Sequence, residues 1–267
     1  MGNARILYVA QEIYPYLPES NIANICRHLP QGIQEKGKEI RTFMPRYGSI
    51  NERRNQLHEV IRLSGMNLVI NDTDHPLIIK VASIQSARMQ VYFIDNEDYF
   101  QRKAVLVDEN NNYFADNDER TIFFTNGVLE TVKKLRWSPD IVHCHGWISS
   151  IVPLYIKYIY NQNPLFEHSK TIVTLYDDEF SPSLNNDFYK KLILENIPSN
   201  AIKKLEKDPS YINLMKTAID ATDAISIGVK HVNQELLEYA KKSGKPILEY
   251  QSNEKNVEAH RTFYDQL

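Results

Sequence analysis

Short apolar runs alternate with amphipathic helical patterns along much of this 267-residue chain. The runs that predict buried strands cover residues 6–10, 40–44, 141–144, 171–175, 224–227 and 247–250. The patterns that predict helices cover residues 22–36, 119–135, 148–160, 211–221, 232–242 and 257–264. Strands that alternate with helices form a parallel sheet covered on both faces. We therefore predict an α/β fold, Rossmann-like and doubly wound, whose ligands bind beyond the carboxyl ends of the strands.

Residues 57–117 interrupt this alternation. Short β-strands are predicted here at residues 68–70, 77–81 and 89–94. Turn signals lie at Asn71-Asp72 and over residues 74–76. We expect a hairpin or meander that decorates the core, followed by a polar, mobile loop over residues 105–117.

The chain length and one proline bear on how these elements are organised. The length suggests one large domain or two small ones, and we predict a single domain over residues 1–267, with residues 57–117 as an insertion. Pro30 lies within the first predicted helix, which it is expected to kink or to end early. The final strand and helix look like a natural ending, and we expect the chain to finish there.

The composition excludes several classes of protein. A net charge of -3 provides no basic field for nucleic acid or an anionic membrane surface. No apolar run is long enough to span a bilayer, and the start lacks the features of a signal peptide. Cys26 and Cys144 lie in apolar patterns, as buried thiols do in a reducing compartment. We predict a cytoplasmic protein without nucleic-acid or membrane partners.

The loop after the first strand is the first candidate site. A phosphate cradle there needs glycines and free backbone N–H groups. Residues 11–21 contain no glycine, and Pro18 has no N–H. Glu19 adds a negative charge, and Ser20 or Asn21 is expected to cap the following helix. A well-capped helix is therefore favoured over a phosphate site.

The pair His143 and His145 is the second candidate, because residues two apart in a strand point the same way. A metal site needs a third or fourth ligand, which the spacing does not supply, so we predict no metal. We expect His143 to be buried and hydrogen-bonded. His145 is expected at the strand tip facing the cleft, where it is a functional candidate.

Three acids, Asp177, Asp178 and Glu179, follow the next strand and form the third candidate. Acid–base catalysis would need one of these carboxylates in a dry cleft with a shifted pKa. Adjacent acids more often form a solvated loop or the first turn of a helix. We favour either of these structural roles and keep a hydrolase or isomerase built on these acids as a minor alternative.

An ordered series of motifs resembles the starch/glycogen synthases, retaining glycosyltransferases of family 5 with the two-domain GT-B architecture. Its parts are residues 6–15, 29–30, 36–37, 44–48, 92–96, 99–100, 116–120, 139–147, 170–174 and 223–226. The stretch that ends in His143-Cys144-His145-Gly146-Trp147 resembles the family's His-x-His-Asp-Trp element. The resemblance covers the N-terminal catalytic half only. It implies ADP-glucose or UDP-glucose as a donor substrate and no cofactor.

The resemblance also implies that several site positions are altered. The family's Lys-x-Gly-Gly-Leu loop, which handles the donor pyrophosphate, falls on Pro18-Glu19-Ser20-Asn21-Ile22. Asn24 and Gly146 stand where the family has aspartates. Tyr176 stands where the family has a histidine, and Asp177 where it has an asparagine. The retained positions, which are the substrate-binding candidates, are Glu12, Tyr99, His145 and Trp147. The loop no longer offers positive charge or N–H dipoles to a departing diphosphate.

These changes support two main hypotheses. In the first, the chain is a pseudoenzyme of α-glucan metabolism that binds a glucan or a protein partner. In the second, it is an active glucosyltransferase that acts on α-1,4-glucan when a separate chain supplies the C-terminal GT-B domain. The altered loop favours the first hypothesis for the chain alone.

Overall fold

The computed structural model describes residues 4–267 as a wide sheet with helices on both faces. Within this range the strands are β1 Arg5–Ala10, β2 Glu39–Pro45, β3 His58–Glu59, β4 Met66–Ile70, β5 Thr73–Ile84, β6 Met89–Asp95, β7 Ile141–His145, β8 Lys170–Leu175, β9 Ala224–Ile227 and β10 Ile247–Leu248. The α-helices of the same range are α1 Asn21–Glu35, α2 Glu52–Asn55, α3 Glu97–Phe100, α4 Asn117–Lys134, α5 Val152–Tyr158, α6 Phe188–Leu194, α7 Tyr211–Ala221, α8 Gln234–Lys242 and α9 Asn253–Tyr264.

The strands lie in the order β10-β9-β8-β7-β1-β2-β6-β5-β3, with β4 paired to β5. Every pairing from β10 to β6 is parallel. The chain moves outward from β1 in one direction through β2 and in the other through β7, so the switch point lies between β1 and β7. The prediction of a doubly wound, mostly parallel sheet is confirmed. Burial of both faces explains why strands such as β1 read as continuous apolar runs.

The region that we expected to decorate the core extends the main sheet instead. Strand β6 pairs in parallel with β2, and β5 continues the sheet antiparallel to β6. The turn predicted at residues 74–76 is wrong, because Thr73–Ile84 forms one strand. Pro76 is tolerated there because the first part of β5 pairs only with β4, and pairing with β6 begins at Ile78. The turn at Asn71-Asp72 is present, with φ of 48° and 61°.

Two further local predictions change. Helix α1 continues through Pro30 to Glu35, so the prediction that Pro30 ends the helix early is wrong. The buried side chains of Cys26, Leu29 and Ile33 hold this segment against the core. Residues 105–116 are irregular, as expected, but they are anchored. The Arg120 guanidinium donates to Val105 O at 2.8 Å, and the Asn117 side chain donates to Leu106 O at 2.9 Å.

Helix α9 closes the sheet face beside α1. His260, Phe263 and Tyr264 are buried, and the Tyr264 hydroxyl lies 3.2 Å from the Tyr8 hydroxyl of β1. The thiols of Cys26 and Cys144 are buried and free. No helix within residues 4–267 is both long and apolar enough to cross a bilayer.

Candidate functional site

The start of α1 and the residues that follow β8, β9 and β10 surround a cavity of about 290 Å³, which we call the strand-end pocket. Its walls come from the start of α1, from the residues after β8 and β9, and from the segment that precedes and opens α9. Among the lining residues are Asn21, Asn24, Asp177, Gly228, Lys230 and Tyr250. Three of the predicted site positions, Asn21, Asn24 and Asp177, therefore come together here. Their meeting follows from the parallel sheet, which places the ends of β1 and β8 at one edge.

The β1–α1 loop satisfies its own polar groups. Ser20 caps α1, because its hydroxyl accepts a hydrogen bond from Ala23 N at 3.0 Å. The same hydroxyl donates to Glu12 Oε2 at 2.6 Å, and the Gln11 side chain donates to Glu12 Oε1 at 3.3 Å. The predicted helix cap is confirmed. The Glu12 carboxylate is held by the loop itself.

The side chain of Asn21 connects this loop to the end of β8. Its amide nitrogen lies 3.3 Å from each carboxylate oxygen of Asp177. Pro18 and Glu19 are exposed beside it, and the loop contributes no cation. The positive charge at the strand-end pocket comes from Lys230, after β9. The contact therefore places an amide and a carboxylate where the family resemblance implies a phosphate-handling loop.

His143 is buried and fully hydrogen-bonded, as predicted. Its Nδ1 lies 2.7 Å from the Tyr264 hydroxyl, and its Nε2 lies 2.6 Å from Thr174 Oγ1. Burial lowers the pKa of His143 well below its usual value, and the nearby His145 and His260 lower it further. The imidazole is therefore neutral and serves the packing of α9 against the sheet.

The prediction that His145 faces the cleft is wrong. Its side chain is fully buried, and its Nδ1 lies 2.7 Å from the hydroxyl of Tyr176. Burial lowers the pKa of His145 to about 3, and His260 adds to this shift. Its Nε2 has no hydrogen-bond partner within residues 4–267. The imidazole lies in the core between the Tyr176 hydroxyl, at the end of the neighbouring strand, and the ring of His143, whose centroid is 4.0 Å away.

Tyr176 is itself buried, and it packs against a glycine on the next strand end. A Cβ atom added to Gly228 would lie well inside van der Waals contact with the Tyr176 ring. The absence of a side chain at position 228 therefore makes room for the tyrosine. The sequence offered one usable signal for this arrangement, because a glycine directly after an apolar strand often marks a close approach.

Gly146 has a backbone conformation that other residues rarely adopt. Its φ is 83° and its ψ is 155°, a combination found almost only in glycine. A Cβ atom at this position would lie 2.5 Å from Gln11 Cβ. The site thus has no space for the aspartate that the family resemblance implies here.

The three acids after β8 have different environments. Asp177 and Glu179 are exposed, as the solvated-loop interpretation predicts, whereas Asp178 is half-buried. Asp178 accepts a hydrogen bond from Trp147 N at 3.0 Å and another from the Tyr211 hydroxyl at 2.7 Å. Burial raises the pKa of Asp178 to about 6. Nothing in the local sequence separates Asp178 from its neighbours, so its role in fixing the β7 end was missed.

Trp147 and Tyr99, two retained candidates, are packed in the interior. Trp147 lies under Phe180, with ring centroids 4.8 Å apart. The Tyr99 hydroxyl lies 3.0 Å from His75 Nε2 and donates to Glu119 Oε2 at 2.9 Å. Tyr99 therefore belongs to the contact between β5, α3 and α4, and the structure does not bring it to the strand-end pocket. Residues 4–267 contain no cluster of side chains suited to a metal ion.

The parallel sheet, its switch point and the pocket at its carboxyl edge define the class as an α/β domain similar to one half of a GT-B glycosyltransferase. The chain belongs to the starch synthase catalytic domain family, whose sequence model matches residues 5–248. The family resemblance noted from the motifs is thereby confirmed. Helix α9 lies beyond the matched residues.

Relatives and a solved structure agree with this assignment. The chain is 34% identical over 236 residues to a glycogen synthase of Chlorobium luteolum. This alignment covers 88% of this chain and 47% of that protein. The chain is 35% identical over 225 residues to a glycogen synthase of Chlorobium phaeobacteroides, covering 84% of this chain and 45% of that protein. The chain thus spans about half the length of these relatives. The fold is also that of the catalytic domain of starch synthase IV from Arabidopsis thaliana, solved with ADP and acarbose. The TM-score is 0.74 and the sequence identity is 15%. The superposition covers 94% of this chain and 52% of that one.

Proposed function

We propose that this chain binds α-glucan and does not transfer glucose from ADP-glucose or UDP-glucose on its own. The observation that carries the proposal is the contact between Asn21 and Asp177 across the strand-end pocket. In the family, the corresponding loop handles the donor diphosphate through a lysine and two glycines. Here an amide and a carboxylate occupy that edge.

The chemistry of transfer explains why this exchange matters. A departing nucleoside diphosphate carries negative charge that must be met by cations or by N–H dipoles. Losing a single such donor typically reduces the rate by about two to three orders of magnitude. Lys230 balances Asp177 at the pocket, and the carboxylates of Glu12 and Glu19 in the β1–α1 loop add negative charge beside it, which disfavours a diphosphate.

The buried Tyr176 supports the same proposal. The resemblance implies an active-site histidine at this position, and a neutral, buried phenol does not replace its proton chemistry. Burial raises the pKa of Tyr176 well above its usual value, so the hydroxyl stays protonated at neutral pH. Its hydrogen bond to His145 is a packing contact in the core.

The proposal that the ligand is a glucan rests on family membership. We also propose that the chain acts in the cytoplasm, where the free thiols of Cys26 and Cys144 stay reduced. Native gel electrophoresis through a matrix that contains glycogen tests the binding. We expect the purified chain to migrate more slowly as the glycogen concentration rises, while bovine serum albumin in the same gel does not. Equal migration with and without glycogen would contradict the proposal.

A second candidate function is that of one half of a two-chain glucosyltransferase. It is favoured by the length of the chain, which spans about half of the Chlorobium relatives, and by the retained residues Glu12, His145 and Trp147. Mixing the chain with the separately purified C-terminal half of the Chlorobium luteolum enzyme tests it. Transfer of labelled glucose to glycogen by the mixture, and by neither part alone, would support this candidate. No transfer by the mixture would contradict this second candidate.

A further inference from the structure

One wall of the strand-end pocket comes from outside the family-matched residues. The match ends at Leu248, whereas the pocket is also lined by Tyr250, Gln251, Asn253 and Asn256. This wall faces Asn21 and Asn24 at the start of α1. The pocket of this chain is therefore partly built from a segment that the family pattern does not describe.

The lining is rich in side-chain amides that are not engaged elsewhere. Asn24, Asn253 and Asn256 make no side-chain hydrogen bond to any residue from 4 to 267, whereas Asn21 is engaged with Asp177. Each amide has both a donor and an acceptor group. Sugar hydroxyls also donate and accept, so a cluster of free amides complements a polyhydroxyl ligand better than a purely anionic or purely apolar one.

The charges at the pocket favour a neutral ligand. Asp177 supplies one negative charge and Lys230 supplies one positive charge, so the formal charges of this pair cancel. Asp177 would lie against any phosphate that approached Asn21, because the two side chains are in contact. An uncharged sugar unit encounters no such repulsion.

Tyr250 provides the apolar surface that a pyranose ring needs. Its side chain is 43% exposed at the pocket, although large aromatic side chains are commonly buried. The pocket volume of about 290 Å³ lies just below the range of roughly 300–1,000 Å³ that is typical of ligand sites. A single sugar unit is therefore better suited to this space than a whole sugar nucleotide.

We propose that the segment from Tyr250 to Asn256, together with Asn24, forms a subsite for one neutral glucose unit of an α-glucan. Tyr250 would stack on the sugar ring, and the amides of Asn24, Asn253 and Asn256 would bind its hydroxyls. This inference rests on the proposed glucan-binding function and specifies where one unit of the ligand binds.

Isothermal titration of the full chain with maltotriose tests the subsite. We expect Tyr250→Ala to weaken binding about five- to tenfold, because the stacking surface is lost. Tyr250→Phe keeps the ring and should change the affinity by less than about twofold. Asn253→Ala should weaken binding about threefold, consistent with the loss of one hydrogen bond. Asn67→Ala, an exposed asparagine on β4, serves as the matched control and should leave binding unchanged.

The results of the titration and of the native gel distinguish failure of the subsite proposal from failure of the proposed glucan binding. If maltotriose binds the wild type and Tyr250→Ala equally well, the subsite is wrong and glucan binding stands. The subsite is also wrong if glycogen retards the wild-type chain in the gel but maltotriose does not bind. If neither glycogen nor maltotriose binds, both proposals fail. Competition by inorganic pyrophosphate for the maltotriose site would show an anion site and would overturn the subsite. Circular dichroism of each variant confirms that it is folded.

Discussion

The hydroxyl of Tyr176 lies 2.7 Å from Nδ1 of His145, and both side chains are buried. This hydrogen bond links the ends of β8 and β7 at two positions that the family resemblance assigns to the active site. In this chain the pair forms part of the core beneath the strand-end pocket. The structural role of these residues leads to predictions that stability measurements can test.

Replacing Tyr176 by phenylalanine should destabilise the fold. The substitution keeps the ring but leaves both nitrogens of His145 without a hydrogen-bond partner within residues 4–267. A buried polar group that loses its partner costs about 1–3 kcal/mol. Urea unfolding followed by circular dichroism measures the loss. Tyr14→Phe, at an exposed tyrosine, should change the free energy of unfolding by less than about 0.5 kcal/mol. Equal values for the two variants would contradict the structural role of Tyr176.

The contact between Tyr176 and Gly228 predicts a non-additive pair of substitutions. Gly228→Ala should destabilise the wild type by about 1–3 kcal/mol, because the new methyl group meets the Tyr176 ring and, to a lesser extent, Thr174 Cγ2. In a Tyr176→His background the smaller ring relieves part of this clash, so the cost of Gly228→Ala should fall by at least about 0.5 kcal/mol. A double-mutant cycle in urea measures this coupling. Strict additivity would show that the ring does not pack against position 228.

Restoring the family's aspartate at position 146 should harm the protein. Gly146→Asp places a side chain in a backbone region that costs about 1–3 kcal/mol for residues other than glycine, and its Cβ meets Gln11. Gly244→Ala is a suitable control, because Gly244 has a φ of 72° but open space around it. We expect Gly146→Asp to lose clearly more stability than Gly244→Ala in the same urea titration. If the aspartate is tolerated as well as the alanine, position 146 is not closed by Gln11.

The buried His260 predicts a loss of stability in mild acid. Burial lowers its pKa to about 4, whereas a histidine in the unfolded chain titrates near 6.5. As the pH falls below about 6.5, the unfolded chain gains a proton that the folded chain does not, so stability is lost. Between pH 7.5 and 4.5 this group alone contributes a loss of about 2–3 kcal/mol.

The variant His260→Gln isolates that contribution. Asp178, whose raised pKa of about 6 acts in the opposite direction, is present in both proteins, so its effect cancels in the comparison. The wild type should therefore lose about 2–3 kcal/mol more than His260→Gln between the two pH values, measured by urea unfolding. His168→Gln, at a histidine whose side chain is 91% exposed, is the control and should follow the wild type. Parallel curves for all three proteins would contradict a buried, neutral His260.

The parallel part of the sheet and its helices could be predicted from the sequence alone. Strands buried on both faces, such as β1 and β8, must be apolar throughout, and the helices between them keep a regular amphipathic period. Strand β5 was interpreted as a turn followed by a short strand because Asp74 and Pro76 are poor strand residues. Its first part pairs with β4 alone, and this pairing is a tertiary fact that local composition does not reveal.

The place of the site at the carboxyl edge of the sheet could be predicted from the sequence, but the solvent exposure of its individual side chains could not. Parallel topology alone placed Asn21, Asn24 and Asp177 at one edge of the sheet. His145 is buried among residues that include Tyr8 and Tyr176, both distant in the sequence, so its own neighbourhood gives no sign of its burial. The contribution of Tyr250 depends on the path of the chain after β10, which no motif indicates.

The most direct test of the central claim is a transfer assay on the purified chain alone. Labelled glucose is offered as ADP-glucose or UDP-glucose with glycogen as the acceptor, and the washed polymer is counted over time. We predict no incorporation above a blank without protein, even at high protein concentration, while the same preparation is retarded by glycogen in the native gel. Incorporation that rises linearly with time and with protein concentration would contradict the account, because it would show that the altered loop still supports departure of the diphosphate.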